Sequence, residues 1–110
     1  MRLTLVLTFF FSTVTASVFA DENTMAGEVI FNHCMACHGE QGMGDEDNEA
    51  PRLAGQHSWY LVTQLENFRA SRRGTHEDDE NGQMMQAMAA NLSDEDIENV
   101  AAYIAMLPVD

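Results

Sequence analysis

The chain has 110 residues and sets 18 acidic side chains against five basic ones, for a formal net charge of −13 at pH 7. All five basic residues are arginines, so the basic footprint that nucleic acid demands is missing, and an anionic membrane surface would not attract the chain. The length allows one small domain, whose own hydrophobic core would be marginal.

The N-terminus predicts export. Arg2 precedes an apolar run from Leu3 to Phe11, broken by Thr4 and Thr8, and a small-residue stretch ends Val18-Phe19-Ala20. This is the pattern of a secretory signal peptide over residues 1–20, with cleavage after Ala20 and Ala16 as the alternative. The apolar run falls short of the roughly 20 residues a spanning helix needs, so no stable membrane insertion is expected after cleavage. The mature domain would cover 21–110, all 18 acidic residues and four arginines included.

A first helix is predicted from Met25 to about His33, where Ala26, Gly27, Val29 and Ile30 can share one face. Glycine inside a helix costs about 1 kcal/mol against alanine, and close approach of another helix is one reason to accept it. Next comes Cys34-Met35-Ala36-Cys37-His38, which contains the only two cysteines of the chain. C-x-x-C-H is the pattern for covalent attachment of haem: each thiol adds across one vinyl group, and the adjacent imidazole becomes an iron ligand. One covalent haem c is therefore expected at Cys34 and Cys37, with His38 on the iron. A redox dithiol would need a thioredoxin-like βαβ pattern, which is missing. Zinc usually takes two spaced ligand pairs, and only one pair exists, although His33 and His38 bracket it.

Residues 39–56 contain four glycines and Pro51 and read as a long loop around the haem. Ser58 is a candidate N-cap for a helix over Trp59 to Phe68, in which Leu61, Leu65 and Phe68 follow helical spacing. Arg69 to Gln83 is polar and includes the run Glu77-Asp78-Asp79-Glu80, read as a solvated loop or, more sharply, a docking patch. A short helix is predicted from Met84 to Asn91. Ser93-Asp94-Glu95-Asp96 resembles a capping box with Asp as its fourth residue. The following helix carries Ile97, Val100, Ala101, Ile104 and Leu107 on one stripe and ends at Pro108. No strand pattern and no internal repeat is visible, so the fold class is all-α.

Haem iron in an electron carrier usually takes two protein ligands, and a thioether suits both iron states. Met25, Met35, Met43 and Met106 lie too near the motif or in the outer helices, which leaves Met84, Met85 and Met88. His57 and His76 offer a bis-histidine alternative. The motif, a later methionine and a C-terminal packing helix together resemble class I cytochrome c. The segments Pro51-Arg52-Leu53-Ala54-Gly55-Gln56, Tyr60-Leu61 with Gln64-Leu65, Phe68-Arg69, and Leu92 to Ile97 leading into Ala101-Ala102-Tyr103-Ile104 are similar to a single-haem unit of bacterial cytochrome c4 and related small periplasmic cytochromes.

That resemblance implies a helical domain wrapped around one covalent haem, with Met85 as distal ligand and the Pro51 carbonyl as acceptor for the second ring N–H of His38. It also implies a crossing of the first and last helices near Gly27, Tyr103 and Ile104. The expected function is a periplasmic, monomeric carrier of single electrons between respiratory redox proteins, rather than an enzyme. A partner with a basic docking patch would suit the acidity, as would adaptation to salt. The alternatives are a haem enzyme or gas sensor with an open iron position, or an electron-delivery subunit of a larger oxidoreductase.

Overall fold

The computed structural model describes residues 22–110; the expected export signal over 1–20 lies outside them. Among the described residues there are five helices: α1 (Glu22–Phe31), α2 (Met35–His38), α3 (Ser58–Arg69), α4 (Glu80–Ala89) and α5 (Asp94–Ala105). The only β-type pairing among them is one antiparallel bridge between Asp45 and Ala50, so the all-α expectation holds.

The framework is a crossing of α1 and α5, with α3 laid against α5 and α4 against α3. Ile97, Val100, Ala101 and Ile104 of α5 are each at most 3% exposed, as their stripe predicts. Phe31, Leu61, Val100, Ala101 and Ile104 form the buried cluster that joins α1, α3 and α5. Gly27 sits at the crossing, where a methyl group would run into the Asn99 carbonyl oxygen and stand 2.8 Å from Tyr103 Cβ. Tyr103 is at the contact as expected, and Asn99 joins it there. Ile104 lies in the buried cluster with Phe31 of α1.

The helix ends differ from the sequence expectation in physically readable ways. α1 stops at Phe31, because the Cys34 amide donates to the Phe31 carbonyl at 2.7 Å and closes a tight turn. The motif then forms its own single turn, α2, instead of continuing α1. The N-cap of α3 is His57, with extended backbone and no side-chain cap bond; Ser58 is the first helical residue. α4 begins at Glu80, four residues before the expected start, because the Asp79 carboxylate accepts from the Gly82 amide at 2.8 Å. Part of the acidic run is thus a helix cap. The capping box of α5 is complete: Ser93 Oγ accepts from the Asp96 amide at 3.0 Å, and Asp96 Oδ2 accepts from the Ser93 amide at 2.9 Å. α5 ends at Ala105, ahead of Pro108.

Candidate functional site

His38 closes α2 and is only 6% exposed. Its Nδ1 lies 2.8 Å from the Pro51 carbonyl oxygen. A carbonyl can only accept, so Nδ1 carries the hydrogen and donates. The lone pair of the neutral ring is then on Nε2, the atom available to a metal. Such a bond fixes both tautomer and ring orientation.

The loop after α2 is folded so that Pro51 returns to His38. The Gly44 amide donates to the His38 carbonyl at 2.8 Å, and the Leu53 and Ala54 amides donate to the Gly42 carbonyl at 2.7 and 2.9 Å. Asp45 and Ala50 exchange two backbone bonds of 2.9 Å, and the Asp45 carboxylate accepts from the Asp47 and Asn48 amides inside the turn. Gly44 has φ +83°, and a methyl group on it would meet the Arg52 nitrogen at 2.8 Å.

Cys34 and Cys37 are free thiols, both half-buried. Burial pushes the Cys34 thiol above its ordinary range, and the neighbouring Cys37 adds to the effect.

Cys34, Cys37 and His38 line a cavity of about 820 Å³. Ile30, Leu53, Leu61, Leu65, Phe68 and Ile104 supply apolar walls. Met84, Met85 and Met88 of α4 line the same cavity. Met85 is half-buried, whereas Met84 is 58% and Met88 44% exposed. Met25, Met35, Met43 and Met106 do not line it, nor do His57 and His76; His33 does. His57 stacks on Trp59 at the surface, and His76 is exposed.

The donor set fits a covalently tethered haem. The volume lies at the upper end of the roughly 300–1,000 Å³ usual for cofactor pockets. Its walls are mostly apolar, two free thiols share one helical turn, and a buried imidazole bonded to Pro51 through Nδ1 leaves Nε2 for a metal. Zinc fits poorly: among the described residues no group of three or more His, Cys, Asp or Glu could hold a metal.

Sequence reasoning passed over the polar residues of this cavity. Arg73 donates to Gln64 Oε1 at 2.7 Å and lies over the Phe68 ring, 4.5 Å from its centroid. Asn81 Nδ2 donates to Glu49 Oε2 at 2.9 Å, linking α4 to the loop over 32 residues of sequence. No local motif announces such a contact; only the return of the loop brings the two together.

The sequence profile of the cytochrome c family matches residues 24–108. Cytochrome c4 of Pseudomonas aeruginosa is 37% identical over 95 residues, covering 77% of this chain and 46% of that protein. Cytochrome c-554(548) of Halomonas halodenitrificans is 40% identical over 78 residues, covering 71% of this chain and 88% of that one. Among solved structures, reduced recombinant cytochrome c4 from Pseudomonas stutzeri superposes with a TM-score of 0.70 at 31% identity, over 79% of this chain and 49% of that one. The chain thus spans about half the length of the cytochromes c4 it matches.

Proposed function

The chain belongs to the cytochrome c family, whose prosthetic group is covalently bound haem c, and from that premise we propose that it carries single electrons between redox proteins in the periplasm. The observation that carries this reading is one mostly apolar cavity lined by Cys34 at the N-cap of α2, by Cys37 and His38 of α2, and by Met85 of α4.

The bound haem supplies an iron that changes charge by one electron. The residues of this chain do the rest. Cys34 and Cys37 would tether the group through their thiols, and His38 would offer Nε2 to the iron while Nδ1 stays fixed on Pro51. The thioether of Met85 is the second ligand. It is the most covered of the three methionines on this cavity, and covering a ligand sulfur keeps water from competing for the metal. Leu61, Leu65, Phe68 and Ile104 exclude water from the rest of the cavity. With both ligands held by a folded frame, neither needs to leave when the charge changes, so little reorganisation accompanies transfer.

Residues 1–20 direct export and are removed. Among the described residues no helix is long and apolar enough to cross a membrane. The carrier works as a monomer and meets its partners through small, short-lived interfaces, the usual form of redox encounters. The acidic surface selects partners with a basic patch.

The ligand assignment is tested on oxidised holoprotein by the weak far-red absorption band of sulfur bonded to ferric iron. The band is expected in wild type and in Met84→Ala, and it is expected to vanish in Met85→Ala. A band that survives Met85→Ala and disappears in Met84→Ala would move the ligand by one residue. A wild type without the band would contradict thioether ligation altogether.

A further inference from the structure

We infer that Glu49 and Asn81 form a clasp that holds the distal helix α4 against the loop supporting His38, and that they are positioning residues for the methionine ligand. The inference rests on the proposal that Met85 is that ligand.

Five observations place the clasp. Asn81 lies four residues before Met85, so both occupy one face of α4, and both line the cavity. Among the helices, α4 packs substantially only on α3. On the loop side, the Asn81–Glu49 bond of 2.9 Å is the side-chain hydrogen bond that ties it down. Glu49 stands two residues before Pro51, whose carbonyl holds His38 Nδ1. Glu49 also has φ 51°, a left-handed conformation that a non-glycine residue adopts at a cost, and such strain persists where the surroundings enforce it.

The enforcement is visible on both sides. The two backbone bonds between Asp45 and Ala50 close the turn that presents Glu49. The Asp79 cap on Gly82 sets where α4 begins, and so where Asn81 points. The hydrogen bond therefore joins two prearranged termini and closes a ring around the cavity: loop, clasp, α4, α3. Without it, α4 loses its side-chain tie to the loop that supports His38, although Asp79 and Gln83 still hold its first turn to the preceding segment, and the half-covered Met85 side chain loses a constraint.

The test uses ferric holoprotein and imidazole as a competing iron ligand. Loss of this one solvent-exposed hydrogen bond should speed imidazole entry roughly fivefold in Asn81→Ala and in Glu49→Ala. The double variant should be no faster than either single one, and Glu49→Gln, which keeps an accepting oxygen, should stay near wild type. Unchanged entry rates, or single effects that multiply in the double variant, would overturn the clasp. So would a matching fall in the global unfolding midpoint, because it would reduce the role to ordinary stability. Amide hydrogen exchange over 82–85 gives a reading independent of which residue binds iron: it should quicken in Asn81→Ala, and unchanged exchange there would also overturn the clasp. The far-red band of the wild type judges the Met85 assignment separately.

Discussion

At Gly44 the chain makes a turn that an L side chain resists twice over. The residue has φ +83°, and a Cβ would stand 2.8 Å from the Arg52 nitrogen and 2.9 Å from the Ala50 oxygen. This turn lets the Gly44 amide reach the His38 carbonyl while Pro51 reaches the imidazole. Gly44→Ala is expected to cost about 1–3 kcal/mol of holoprotein stability, as strain at a special backbone conformation does, read as a lower denaturant midpoint. The motif residues are legible in sequence because their geometry is local: two thiols and an imidazole within one turn require no tertiary information. The methionine is different. Met84 and Met85 are neighbours, and only the rotation of α4 relative to the cavity makes one half-buried and the other 58% exposed.

Among the elements, α5 is the most legible. Its stripe from Ile97 to Ile104 and its capping box are written in local pattern, and the structure shows both, although the helix ends at Ala105 and leaves Leu107 outside it. Ser93 holds the Asp96 carboxylate below the ordinary carboxylate range through backbone and hydroxyl hydrogen bonds. A depressed carboxylate contributes stability that is complete above its unfolded value and disappears as pH falls through the folded one. Asp96→Asn is therefore expected to be less stable than wild type near neutral pH, with the gap closing below about pH 4, the ordinary carboxylate range; denaturant titrations at several pH values check it. The α1–α5 crossing gives a second prediction. Gly27→Ala would force a methyl group into the Asn99 carbonyl, and overpacking of that kind costs about 1–3 kcal/mol. Helix α4 was less legible, because an acidic run reads as solvated loop unless one knows that Asp79 turns back onto Gly82. The break between α1 and α2 was hidden for a similar reason: a tight turn at Asn32 to Cys34 uses backbone bonds and leaves no signature in side-chain pattern.

For the whole molecule, the stability of the frame is tied to the cavity. Small domains bury too little surface to be securely stable alone, and here about 820 Å³ separates α3 and α4 from the residues of the motif. A haem-free Cys34→Ala/Cys37→Ala chain is expected to lack a cooperative, native-like unfolding transition; a sharp one would show that the helical frame stands without the group. The net charge of −13 sets a further expectation. Electron transfer to a basic partner should slow as salt is raised, because screening weakens long-range attraction, and a flat dependence in stopped-flow experiments would assign the acidity to something other than steering. If His38 and Met85 both hold the iron, no position is open to an added ligand, and carbon monoxide probes this. Added to the reduced holoprotein at neutral pH, carbon monoxide should leave the spectrum essentially unchanged. Rapid and complete formation of an adduct would contradict the account and favour an open-site haem protein.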